Sequence, residues 1–526
     1  MNEPPGGDYL DEQRPSIARN AAVLSAASMT SRVLGLVREI IIPHYFGATG
    51  YVSAFRTAEF IIKNVYELLV GGMLSAALVP VLSDYNRPER RAAFSQVASI
   101  IFTALSLVAA IAVLTLEVLA PQIILLLGKD LAPEFQQVAI TLLRIMAPII
   151  WIFSSSGALA AILFARQRFT RVALGDALYN IGVIITVPLL YRTLNIKALA
   201  LGIMLGSLIQ LTMRLPDLRG VHLRLTRHFR HPALRRIWLL YMPVFVALMA
   251  GLVQGAIDTR LFNSTGAQSM AYRGTATTLY QFPHGLVAVA VSLASLPTLS
   301  RWAAEQDWMA FRRTLGAGLR AVLVLVMPAA VGLWVLAAPT VRLLAEHGGK
   351  FTPHDTYQTA RLLQFYLPGL IFASIDWPLN FSYYARGDSR TPAIVGILAI
   401  FVYLIVAFSL LPLLSFFGLG LADGAKQAAH ALMMIYLLHR WKGRMGQGVL
   451  RTTGQTLAAA TVMGVVVFIS SQWLLAQLGT EGLFARVMVL LVPGVLGGGI
   501  YYFILRWLKV PEVALVHRLF RRVLPN

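Results

Sequence analysis

The chain has 526 residues, of which 57% are hydrophobic and only 13% charged, whereas a soluble domain carries about 25% charged residues. With a mean hydropathy of +0.67 it cannot hide its apolar surface from water, and it reads as an integral membrane protein. A formal net charge of +21 could suggest nucleic acid, but the arginines stand between apolar spans, a topogenic pattern, and with no cysteine the chain excludes disulfides and thiolate metal sites.

The opening residues, MNEPPGGDYLDEQRPSIARN, are polar and of mixed charge. They lack the basic start and small-residue cleavage site of a secretory signal, so residues 1–20 are expected to form a disordered cytoplasmic tail. A membrane helix needs about 20 mainly apolar residues. That ruler predicts spans over 21–46, 51–81, 95–119, 134–164, 172–192, 197–213, 237–262, 268–299, 315–337, 357–384, 391–412, 417–438, 453–477 and 484–505. An even number of spans, fourteen, puts both termini on one side.

The loops decide which side. Connections after even-numbered spans hold Arg87, Arg90 and Arg91, then Arg166, Arg168 and Arg171, then the run from Arg214 to Arg236. The series continues with Arg301, Arg312 and Arg313, with Arg386 and Arg390, and with Arg440, Lys442, Arg444 and Arg451, and the tail adds Lys509, Arg518, Arg521 and Arg522. The other loops are nearly bare, Lys129, Arg192, Arg342 and Lys350 excepted. This asymmetry places both termini in the cytoplasm. The linker 214–236 is either an amphipathic segment on an anionic membrane surface or a plain topogenic connection.

An internal repeat organises the spans. SAFRTA (53–58) returns as MAYRGT (270–275), and Pro80 returns as Pro297, both at an offset of 217. LLRIMAP (142–148) returns as LLQFYLP (362–368), and FARQRFTR (164–171) as YARGDSRT (384–391), both at 220. Each copy holds six spans, so the two have parallel topology, the build of many secondary transporters with the substrate path between halves. The expected architecture is all-α: two parallel six-helix repeats around a central cavity, plus two C-terminal helices. An N-lobe covers 21–213, a C-lobe 237–438, and 439–526 holds spans 13 and 14 with a basic tail.

The second span carries the densest chemistry. Arg56, Glu59, Lys63 and Glu67 interrupt AFRTAEFIIKNVYELLVGG. Their spacing confines them to an arc of about 80° on one helix face. The rise from Arg56 to Glu67 is about 16 Å, so they cannot all reach one interface. Charge at that depth needs water or counter-charge. Glu59–Lys63 and Lys63–Glu67 could neutralise each other as i,i+4 pairs in a packed bundle, or the face could line a hydrated cavity. The repeat-related helix presents Arg273, Thr277, Tyr280 and His284 on one face, and two arginines facing each other there would make a fork suited to phosphate. Arg32, Arg38 and Glu39 lie in the first span, and Arg144, Asp258, Arg260 and Asp376 are secondary candidates, each readable also as a local ion pair or interface anchor. The arginine excess implies an anionic substrate.

SRVLGLVREIIIPHYFGA (31–48), LSAALVPVLSDY, LLRIMAPII, QFPHGLVAVAVSLASLPTLS and YYARGDSRTP together resemble signatures of the MurJ/MviN lipid II flippases of the MOP exporter superfamily. The resemblance implies transbilayer movement of lipid II, the undecaprenyl-pyrophosphate-linked peptidoglycan precursor, by alternating access in the bacterial cytoplasmic (inner) membrane. It implies functional weight for Arg32 and Arg38. Lipid partners, and possible contacts with cell-wall synthesis proteins, come with it; no cofactor is implied, and a coupling ion, Na+ or H+, is left open. The chain departs from the family pattern at Ser53, where an acid is expected, at Tyr66 and Gly71 (arginine and glutamate), at Thr277 and Thr278 (an Asp-Arg pair), and at Trp377 (lysine). Arg56, Lys63 and Arg273 are expected to substitute from nearby turns.

Three function classes compete. A lipid-linked precursor flippase leads, with export of another lipid-linked oligosaccharide, or a paralogue without lipid II activity, as the alternative. A membrane enzyme is disfavoured because the histidines are scattered, no HExxH occurs, and the acids are isolated or paired with bases. An inert scaffold has no reason to carry charge through lipid. The Gly497–Gly499 run lies inside an apolar span, where helix packing explains it.

Overall fold

The computed structural model describes residues 27, 29–86, 91–227, 229–346, 349–442 and 448–513. The expected tail 1–20, the start of the first span, and Arg87, Arg90, Arg444, Arg518, Arg521 and Arg522 lie outside the described residues. Among the described residues there is helix but no strand. Among those residues twelve helices are long and apolar enough to cross a membrane. The other two predicted spans are also helical, over 29–46 and Phe416–Lys442. The latter carries Asp423, Lys426, Gln427 and His430, which dilute its apolar character.

By packing, the chain divides into Met1–Ala271 and Tyr272–Asn526. The first unit holds α1 (29–46), α2 (Gly50–Tyr85), α3 (Arg91–Gly128), α4 (Pro133–Ala165), α5 (Thr170–Leu194), α6 (Lys197–Leu218) and α7 (Pro232–Ser264). One core joins Leu78 and Leu82 of α2, Val97 and Ile101 of α3, Leu159 and Ile162 of α4, and Ile237 and Tyr241 of α7, so α7 packs with the first unit. The linker from Arg219 to Thr226 is pinned along α3: Ser99 and Thr103 hydroxyls accept from the backbone N–H of Arg224 and Thr226.

The second unit holds the body of α8 (Ser269–Ala304), then α9 (Trp308–Val335), the short α10 (Ala337–Ala345), α11 (Pro353–Tyr384), α12 (Arg390–Leu414), α13 (Phe416–Lys442), α14 (Val449–Leu478) and α15 (Leu483–Trp507). Asp307 caps α9 by accepting from Met309 and Ala310 N–H, and Thr352 and Asp355 close a capping box on α11, with Pro353 at its first position. The two C-terminal helices are not loose: Met463, Val467, Tyr501 and Leu505 share a core with Leu323 and Met327 of α9. Glycine lets backbones touch here, since a Cβ on Gly369 of α11 would stand 2.6 Å from the Gly424 Cα of α13.

The repeat is visible in the backbone. Gln167 (φ 58°) and Gly387 (φ 73°) form the same tight turn 220 residues apart. In one copy Arg168 N–H donates to Leu163 O at 2.9 Å, in the other Asp388 N–H to Tyr383 O at 3.0 Å. Asn195 (φ 48°) and Ser415 (φ 52°) repeat the match at 220. At the 217 offset, π-helical turns begin at Glu67 in α2 and at His284 in α8. A π turn inserts one residue and recurs at functional sites.

Candidate functional site

The candidate site of the first unit is a chain of charges joining α1 to α2. Arg56 Nη1 donates to Glu59 Oε2 at 2.8 Å, one turn along α2. Its Nη2 donates to Glu39 of α1, whose other oxygen accepts from Arg38 Nη2 at 3.0 Å. Glu39 is buried at 7% exposure and Arg56 nearly so at 11%. Two cations and two anions balance, which is how charge is tolerated at this depth. The balance is formal only, because the Nε–H groups of Arg38 and Arg56 are buried without a hydrogen-bond partner. Each guanidinium therefore keeps unused donor capacity, the property a phosphate oxygen would exploit.

Lys63 and Glu67 do not form the i,i+4 pairs that the packed-bundle alternative required. Both are exposed, and among the described residues Lys63 makes no ion pair within 4.0 Å. Glu59 turns instead to Arg56, which already holds Glu39. Glu67 opens the π turn and folds its carboxylate over Gly71. Ser53 is fully buried, and its hydroxyl accepts from Ala271 N–H. An acid at 53 would have been buried in place of that bond. Tyr66 packs at a tilt against Phe153, centroids 5.0 Å apart, and Phe153 likewise against Tyr179 at 5.6 Å, an aromatic wall beside the charges.

Arg32 lies six residues before Arg38 on α1, half-buried, and makes no ion pair with the Glu39–Glu59 chain among the described residues. Arg144 is exposed and its Nε donates to Glu117 O at 3.3 Å, outside the chain of charges. Asp258 is buried and Arg260 exposed, two residues apart and on opposite faces of α7.

In the second unit, Arg273 and Thr277 share one face of α8, with Thr277 Oγ1 donating to Arg273 O at 2.7 Å. His284 is clasped by α11: Trp377 Nε1 donates to its Nε2 at 3.0 Å, and its Nδ1 lies 3.2 Å from Ser374 Oγ. Since Nε2 accepts, the neutral ring donates from Nδ1 to Ser374. Trp377, where a lysine is expected, thus orients the histidine. Thr278 only bonds back to Gly274 O. Asp376 forms a cluster that sequence reasoning left without partners: His430 Nδ1 lies 2.6 Å from its Oδ1, and Asn380 Nδ2 donates to its Oδ2 at 2.7 Å. Asp423, Lys426 and His430, spaced three and four within an apolar helix, carried the same signal that exposed the α2 stripe. Among the described residues no group of three or more His, Cys, Asp or Glu could hold a metal ion.

A duplicated bundle of membrane helices, with a balanced but unsaturated charge network across the first two helices, defines a multi-pass membrane protein of the transporter type. The family model for the lipid II flippase MurJ matches residues 42–489. The lipid II flippase MurJ of Burkholderia cenocepacia is 28% identical over 462 residues, 85% of this chain and 89% of its own length. The probable lipid II flippase MurJ of Haemophilus influenzae is 30% identical over 440 residues, 78% of this chain and 84% of its own. A solved structure of the lipid II flippase MurJ in an inward-closed conformation shares the fold, with a TM-score of 0.76 at 23% identity over 91% of this chain and 99% of that one. The chain belongs to the MurJ lipid II flippase family, a family of flippases rather than of catalytic enzymes.

Proposed function

We propose that this protein moves lipid II from the inner to the outer leaflet of the bacterial cytoplasmic membrane by alternating access, with both termini cytoplasmic. The observation that carries the reading is the Glu59–Arg56–Glu39–Arg38 chain with its two unsatisfied Nε–H groups. An incoming diphosphate exchanges its oxygens for those of Glu39 and Glu59, and each guanidinium meets it through parallel N–H bonds. When the head leaves, the carboxylates return, so the empty state strands no buried guanidinium. Lys63, exposed one turn beyond Glu59, adds positive field. Arg273 is the repeat-related counterpart of Arg56 in the second unit. Rescue of a strain depleted of its own lipid II flippase tests the reading: the parental gene restores growth, and failure at normal expression overturns it.

A second reading is export of another lipid-linked oligosaccharide. It is favoured by Trp377 and His284, which close a neutral hydrogen-bonded pair where the resemblance implies a lysine. Failed rescue, with transport of a different diphosphate-linked sugar in vesicles, would select it.

A further inference from the structure

The second unit contains an open cavity of about 370 Å3 at its arginine-rich end, lined by Ser300 of α8, Trp308 of α9, Ala385 and Arg386 at the end of α11, and Trp441 of α13. The Arg386 guanidinium carbon lies 3.3 Å from the Trp441 ring centroid and 5.0 Å from that of Tyr383. Trp308 meets Trp441 edge-on, centroids 4.6 Å apart. One nitrogen of Arg386, Nη1, is buried with no hydrogen-bond partner. Burial also pulls this guanidinium below its ordinary pKa, while Tyr383 and Asp388 act in the opposite direction.

The first copy shows what such an arginine takes. Arg166 occupies the position 220 residues earlier, and its Nη1 donates to Arg219 O at 3.0 Å, an oxygen supplied by the linker. In the second copy the equivalent arginine faces the cavity. We propose that this cavity binds an anionic phosphate group, that of an anionic phospholipid headgroup at the membrane surface, with Arg386 as its fork and the Trp308 and Trp441 rings as its walls. A phosphate oxygen on Arg386 Nη1 replaces the carbonyl that the first copy supplies. A lipid is favoured over a soluble anion because the site sits at helix ends flanked by tryptophan, where rings of this kind meet headgroups, and because Arg301, Arg312 and Arg313 on the adjoining ends of α8 and α9 favour an anionic leaflet. The site is separate from the charge chain of α1 and α2 and does not depend on which cargo is moved.

The test is lipid binding to the purified full-length protein by native mass spectrometry, with phosphatidylglycerol, phosphatidylethanolamine and inorganic phosphate as probes. The expected result is that phosphatidylglycerol binds about fivefold more tightly than phosphatidylethanolamine, the preference one surface cation supplies. Arg386→Gln should abolish that preference, and millimolar inorganic phosphate should leave the lipid in place. If Arg386→Gln does not survive purification, Arg386→Met serves, since it removes the charge and keeps an unbranched chain against the Trp441 ring; it should abolish the preference likewise. An unchanged preference in whichever variant is measured overturns the proposal. Displacement by inorganic phosphate alone overturns the lipid source and leaves a soluble-phosphate site.

Discussion

Arg56 of α2 reaches back to Glu39 of α1 and along its own helix to Glu59 at once, so one guanidinium ties the first two helices of the bundle together. Removing it leaves the buried Glu39 with Arg38 alone and takes from the part-buried Glu59 the ion pair it makes among the described residues; breaking a buried pair costs about 3–5 kcal/mol. Arg56→Ala should therefore lower the melting temperature as well as transport. Combining it with Glu39→Gln, which removes one of the two carboxylates that lost this partner, should recover part of the stability and none of the transport. Thermal melts read beside flipping assays check this; recovery of both would make Arg56 a structural strut.

Glu59→Gln should act in the opposite sense on binding. It leaves Arg56 with one carboxylate partner, so the diphosphate head displaces less on entry. Affinity for a lipid-linked diphosphate should rise several-fold and turnover should fall, because release loses the returning carboxylate. Equal affinity in parent and variant removes Glu59 from the exchange.

The paired π turns at Glu67–Gly71 and His284–Ala288 give a geometric prediction. Deleting one residue from the first turn converts it to regular α-helix and removes the local bulge, while the residues beyond keep their faces. The variant should insert and purify but lose transport, checked by expression level and flipping rate together. Parental transport in a folded deletion would mean the π turn is incidental.

Much of this was legible in the sequence because lipid constrains helices so strongly. Fourteen apolar runs sit where the helices sit, and the offsets of 217 and 220 reappear as matching π turns and matching positive-φ turns. The pairing of charges was not legible. Periodicity along α2 names its own neighbours, so Lys63 looked like the partner of Glu59 and Glu67, whereas Glu39 comes from another helix and captures Arg56 first. His430 beside Asp376, and Trp441 beneath Arg386, stayed hidden for the same reason: each pair joins helices tens of residues apart. The π turns leave no mark in composition, because the inserted residue can be of any kind.

At the turn before α12, Asp388 accepts from the Thr391 N–H at 3.0 Å and from its hydroxyl at 2.7 Å. Partial burial opposes ionisation there, but these bonds and Arg386 hold the carboxyl below its ordinary pKa. A depressed folded pKa contributes stability that is present above the unfolded value of about 3.9 and is lost as pH falls through the folded one. Thr391→Val should thus lower the melting temperature at pH 7 and make progressively less difference as the pH drops below about 4. A penalty that is constant across pH would assign the loss to packing.

Reporter fusions at Met1 and Asn526 should both report the cytoplasm, since the arginine-rich loops fall on the side shared by the termini. An external signal from either end would reverse the orientation of the proposed transport.

The central claim, that the arginines of the charge chain hold a diphosphate head, is tested most directly by lipid II flipping in proteoliposomes with Arg56→Lys and Arg38→Lys, each matched to the parent for expression and melting temperature. Lysine keeps the charge and loses the parallel N–H fork. The account predicts that both variants fold and that each flips at least about tenfold more slowly, the equivalent of losing roughly 1.4 kcal/mol of binding in the transition state. Folded variants that flip lipid II at the parental rate would contradict it and leave these arginines as partners in structural ion pairs.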